Sequence, residues 1–193
     1  MRRLLLFMVA LFILWAVFGF PMPAHSQIVK RAILATCRYR IDSGYDLPDP
    51  HCTPGQADPR LVADLSKAKH LVDGIEANIC AKDFRTGPWR KVSESEKKTA
   101  CEMYGITSGC PGPGYEVDHL ISLELGGNDS VANLWPQPLT QARIKDHRVE
   151  DVLPKLICSG KMSMVDAQKC ISSNWVACAA RIATVTPMSK RKR

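Results

Sequence analysis

The chain has 193 residues, 46% of them hydrophobic, and carries 26 Lys and Arg against 19 Asp and Glu for a net charge of +7. That length suits one domain with a real core, or one domain and a short appendage, and argues against several domains. Without Arg2, Arg3 and the tail Lys190–Arg193 the balance falls to 20 basic against 19 acidic residues, so the charge does not describe a broadly cationic body. The tail itself reads either as a solvated end or as a non-specific phosphate contact.

The first 26 residues have the layout of a secretory signal peptide: two arginines, an apolar run from Leu4 to Phe20, Pro21 and Pro23, then Ala24 and Ser26. Cleavage after Ser26 is expected, leaving an exported protein, periplasmic or secreted, with no stable membrane association. An uncleaved anchor is the alternative, since the run approaches the ~20 residues that span a bilayer.

All eight cysteines follow this segment and none forms a Cys-x-x-Cys pair, which predicts up to four disulfides rather than zinc ligands. Local closure of Cys101 with Cys110 is one candidate pairing.

Residues 27–58 form a turn-rich segment, with prolines at 48, 50 and 54 near its end and Pro59 directly after it. Asp58 followed by Pro59 resembles a capped helix start, and Leu61, Val62, Leu65, Ala68 and Val72 keep helical spacing, which predicts a helix over 59–73. Ser93 with Glu96 is a capping-box pattern, and Gly105 suits a left-handed stop, so a second helix is expected over 94–104. Its Lys97 and Lys98 read as a solvated face.

After the turn at 110–114, YEVDHLIS alternates as a strand, with Tyr115, Val117, His119 and Ile121 on one side and Glu116, Asp118 and Leu120 on the other. Thr140 is the expected cap of the next helix, which Pro154 must kink or restart. Ser163 with Asp166 opens a last helix whose Ala167, Ile171, Trp175, Cys178 and Ile182 form a core-facing stripe. Residues 59–183 thus make the main domain, with 184–193 as a basic tail.

The segment 115–146 joins a strand ending in Asp-His, a glycine-bearing loop, an Asn-Leu pair and a basic helix. These residue types suit metal-assisted attack on a phosphodiester. An imidazole can take the proton of water near neutral pH, and His119 is the candidate base. A hard divalent cation on oxygen ligands can neutralise charge gathering on the phosphate, and Asp118 is the candidate ligand. Adjacent strand residues point to opposite faces, so both can serve one phosphate only where the strand bends or ends. Asn133 can donate and accept, and so pin the loop that orients the imidazole.

At these residues the chain resembles the HNH, or ββα-metal, endonuclease family: Asp118-His119, Asn133 fourteen residues after the histidine, and Lys145 twelve further on. It looks closest to an exported bacterial subgroup, through LPDPHCTPG, Asn78-Ile79-Cys80, Tyr104-Gly105, YEVDHLISLELGG, NLWPQP and CSGKMSMVDAQ ahead of Trp175, over roughly residues 46–176. The resemblance implies an α+β fold, a ββα-metal motif embedded in a mainly helical, disulfide-stapled domain. It implies hydrolysis of DNA, and of RNA as a further substrate, leaving 3′ hydroxyl and 5′ phosphate ends. The cofactor it implies is one divalent metal, magnesium, with manganese or calcium as alternatives.

The sequence departs from the family at Ala142, where many members carry a helix-borne Asn or His ligand. Asp146, one turn on, and Gln141 are the candidate replacements, with Glu150 acting through water as another; an ordinary surface carboxylate is the competing reading of Asp146. Arg143 and Lys145 are candidate phosphate contacts at the helix start. His147 reads as a surface histidine, and Trp135 as core. A non-catalytic exported binding domain on the same scaffold, or a structural disulfide-rich envelope protein, are the alternatives to an enzyme.

Overall fold

The computed structural model describes residues 37–65, 71–72 and 76–185. The export segment and the tail Lys190–Arg193 lie outside the described residues. Those described fall in the unit Leu34–Arg193, a mixture of helices and small sheets stapled by four disulfides, Cys37–Cys52, Cys80–Cys158, Cys101–Cys110 and Cys170–Cys178. The local Cys101–Cys110 closure is therefore present. An oxidising, extracellular environment suits this pattern. No described helix is long and apolar enough to cross a membrane.

Strands β1 (Arg40–Asp42) and β2 (Tyr45–Leu47) form a hairpin. Ser43 and Gly44 take φ of 51° and 81° at its turn, the paired positive values that match strand twist in a two-residue hairpin. The helix expected over 59–73 is not formed. Leu61–Val62 is strand β3, parallel to β5 (Glu76–Asn78), and Leu71–Val72 is β4, antiparallel to β5. Long-range pairing outweighs helical spacing here, because Ala77 and Ile79 donate to the carbonyls of Arg60 and Val62. The Asn78 amide adds bonds to both backbone groups of Asp64. Asp58 accepts from Arg60 instead of capping a helix.

Helix α1 (Glu94–Met103) carries the capping box between Ser93 and Glu96. The ribbon of β6 (Tyr115–His119) and β7 (Leu134–Pro138) pairs antiparallel, with Glu116 opposite Gln137, Asp118 opposite Trp135 and His119 opposite Leu134. Helix α2 (Leu139–Lys145) follows β7 directly and runs into a π-helical turn over Asp146–Glu150. Thr140 is not its cap. Pro138, at φ −55°, carries the chain straight from strand into helix, and Thr140 lies inside the first turn.

Helix α3 (Leu153–Cys158) restarts the chain at Pro154. The last helix is two: α4 (Met164–Ser173), capped by Ser163, and α5 (Trp175–Val185). Asn174 is extended between them, and its side chain accepts from Val176 and Ala177 N–H while donating to Asp42. The expected apolar stripe is nevertheless buried throughout, from Ala167 to Ile182, and shares one core with Leu61, Trp135 and Val149. The turn-rich segment joins that core through Cys37 and Leu47.

Candidate active site

The site is built around the end of β6. Asn133 is fully buried and makes four hydrogen bonds: its Oδ1 accepts from the N–H groups of Ile121 and Gln56, and its Nδ2 donates to the carbonyls of Ile121 and Asn128. One amide thereby ties both ends of the 120–133 loop to residue 56. Gly127 makes this closure feasible, since a Cβ there would lie 1.8 Å from the Ile121 carbonyl oxygen.

His119, 4% exposed, forms a 2.8 Å hydrogen bond through Nε2 to Asp129 Oδ1. Asp129 Oδ2 accepts from the Lys91 N–H at 2.6 Å. The carboxylate is held from two sides and fixes the imidazole in turn, leaving Nδ1 with no hydrogen bond among the described residues. His119 lines a cleft of about 520 Å³ together with Arg90, Lys97, Tyr115, Glu116 and Val117. Arg90 is exposed, and Lys97 pairs with Glu94 at 2.7 Å.

Asp118 points to the other face of the ribbon, under α2. Lys145, fully buried, donates to Asp118 Oδ2 at 2.6 Å and to the His119 carbonyl at 2.9 Å, and also bonds Glu150. Burial alone would discharge this ammonium, but Asp118 and Glu150 outweigh it and hold the lysine above its ordinary range. Burial raises Glu150, with Asp118 adding to the effect and Lys145 opposing it. Lys145 therefore does not contact phosphate as the sequence suggested: all of its positive end is enclosed by protein oxygens.

Asp146 is half-buried and its carboxyl is pushed up by desolvation and by the Asp118 charge. Glu116 is raised by burial, then by Asp118 and Asp146, while Lys145 and Arg90 act against them. Glu116 lines the His119 cleft, whereas Asp118 and Asp146 do not, so Glu116 is the one carboxylate of this acidic face that reaches the cleft. Gln141 is not part of this face. Its Oε1 accepts from the Asp46 N–H at 2.8 Å and its Nε2 donates to Asp46 Oδ2, which spends the amide on the β1–β2 hairpin. Arg143 is exposed on α2, and His147 is exposed and bonded to Asp151.

A hard divalent cation can be tested against these donors. Among the described residues no three His, Cys, Asp or Glu side chains are grouped to hold one. The oxygen donors that fit are Asp118, with one carboxylate oxygen left over by Lys145, and Asp146, which feels the Asp118 charge. Magnesium is commonly held by one or two carboxylates and several waters, so this pair suits a hydrated ion.

Sequence reasoning passed over Asp129, Arg90, Glu116 and the burial of Lys145. The only signal for Asp129 was an acidic residue in the loop between His119 and Asn133. Comparison of the chain with family profiles, curated proteins and solved structures finds no match, so the chemistry is read from the residues themselves.

Proposed function

We propose that this protein is an exported, metal-dependent phosphodiesterase of the HNH type acting on DNA, with RNA as a further substrate. The observation that carries the reading is the Asp129–His119 pair, whose imidazole lines a cleft together with Arg90 and Lys97. An imidazole whose one nitrogen is fixed by a carboxylate offers the other as a base, the arrangement general-base catalysis requires.

In this mechanism His119 Nδ1 takes the proton of the attacking water, and Asp129 holds the ring and stabilises the imidazolium that forms. Arg90 and Lys97 attract the polyanion, and the exposed Arg143 holds a flanking phosphate. Asp118 and Asp146 would hold magnesium, with manganese or calcium as substitutes; a divalent cation supplies charge compensation for the phosphate and the leaving 3′ oxygen. Cleavage of the P–O3′ bond leaves a 3′ hydroxyl and a 5′ phosphate. The ribbon followed directly by α2 supports the ββα-metal reading of the fold, and the near-neutral body supports weak, salt-sensitive and largely non-specific binding.

The test is plasmid degradation by the oxidised mature protein, with and without chelator, beside His119→Ala and Asp118→Ala. Loss of cleavage in all three arms is expected. Cleavage that survives both substitutions and chelation would remove the mechanism. Nucleic-acid binding without cleavage under any divalent metal would leave a binding domain instead.

A further inference from the structure

Gln137 is fully buried, and neither its Nε2 nor its Oε1 has a hydrogen-bond partner. A buried amide with both ends unpaired is costly, and native proteins rarely keep one unless something else satisfies it. The position of this amide in the ribbon is informative. Gln137 lies directly opposite Glu116, two pairs along from Asp118 opposite Trp135. Side chains alternate across a strand and opposite residues share a face, so Gln137 projects from the same face as Glu116 and Asp118.

Helix α2 covers that face. Lys145 reaches Asp118 from it, and Ala142, three residues earlier and 1% exposed, adds only a methyl group on the same side of the helix. Among the described residues the other unpaired buried side-chain atoms are the indole nitrogens of Trp89 and Trp135 and the hydroxyl of Ser122. An indole N–H donates only and does not ligate a cation, whereas the amide oxygen of glutamine is a hard neutral ligand. Among the described residues no third carboxylate or imidazole is grouped beside Asp118 and Asp146, so a further donor from these residues would be a neutral one. Gln141, the other amide near the helix start, is already committed to Asp46.

We propose that Gln137 Oε1 is a protein ligand of the divalent cation held by Asp118 and Asp146, an amide supplied by β7 rather than by the helix. This assignment rests on the metal-site reading above and extends it by naming the neutral donor. It also accounts for an amide left unpaired on the face of the ribbon that carries Glu116 and Asp118, since the cation satisfies the oxygen.

The experiment is calorimetric titration of the oxidised mature protein with Mn²⁺, with thermal melts taken with and without the ion. The variants are Gln137→Met, Gln137→Glu and Asp118→Asn. Wild type is expected to bind, Gln137→Met at least tenfold more weakly, and Gln137→Glu at least as tightly as wild type. Without metal, Gln137→Met should melt no lower than wild type, because it removes an unpaired buried amide, yet its metal-induced rise should shrink. In the unmutated protein, the Gln137 side-chain amide resonance should shift on addition of Mg²⁺, a readout that does not depend on any variant folding. Unchanged Mn²⁺ affinity in Gln137→Met, with binding lost in Asp118→Asn, would overturn the glutamine assignment and leave the carboxylate site standing. A wild-type protein that takes up no Mn²⁺ would overturn both.

Discussion

Lys145 Nζ lies 2.6 Å from Asp118 Oδ2 while the lysine side chain is wholly buried. The same ammonium bonds Glu150 and the carbonyl of His119, so one cation on α2 orients the acid on β6 and pins the backbone of its neighbour. Removing one partner of a buried charge network strands the rest. Lys145→Met should therefore cost about 3–5 kcal/mol, read by urea unfolding, and Glu150→Gln in the same chain should recover part of it. A loss of about 1 kcal/mol or less, the value of an exposed pair, would show that the network contributes little.

Asp129 makes a separable prediction, because it touches His119 and the Lys91 N–H but belongs to no core cluster. Asp129→Asn keeps the shape and removes the charge that holds and stabilises the imidazole. Cleavage should fall roughly 10²–10⁴-fold, chiefly in kcat, with the melting curve close to wild type. Equal losses in stability and activity would reduce Asp129 to a loop anchor.

The Cys101–Cys110 bridge ties α1, which carries Lys97, to the turn whose Pro111 and Gly112 line the His119 cleft. Its loop spans nine residues, for which chain entropy gives about 2–3 kcal/mol. The paired Cys101→Ser, Cys110→Ser variant should lose that stability and raise KM. Cys170→Ser with Cys178→Ser, at the α4–α5 junction and away from the cleft, should lose similar stability without the change in KM. Identical kinetics in the two variants would disconnect the bridge from the site.

What was legible in the sequence divides by range. Caps and local closures act within a few residues, so Ser93 with Glu96, Ser163 with Asp166, and Cys101 with Cys110 could be read directly. The stripe from Ala167 to Ile182 was visible because period survives the break at Asn174. Leu61 and Val62 were misread because their partners, Ala77 and Asn78, are distant in sequence and override helical spacing. Asp118, His119 and Asn133 are close in sequence at one end of a ribbon. The burial of Lys145, the use of Gln141 by Asp46 and the clamp by Asp129 depend on how helices and loops pack, which residue spacing does not encode.

Asp58 contributes to the acid limb of stability. Its carboxylate accepts three bonds from Arg60, and the side-chain bonds lead the causes that hold its carboxyl below the ordinary range. Its own N–H donates to the Gly126 carbonyl at 2.7 Å, so loss of the carboxylate loosens the loop beside the site. A carboxyl depressed on folding contributes stability that is fully present above the unfolded value near pH 4 and is lost as pH falls through the folded value. At neutral pH Asp58→Asn should be less stable by about 1–2 kcal/mol, the lower part of the range for charged hydrogen bonds because Arg60 is open to solvent. Melting curves of the two proteins should then converge as the pH falls below about 4, since the wild-type carboxyl takes up its proton there and the variant has nothing further to lose. A gap that stays constant as the pH is lowered would assign the difference to packing instead of charge.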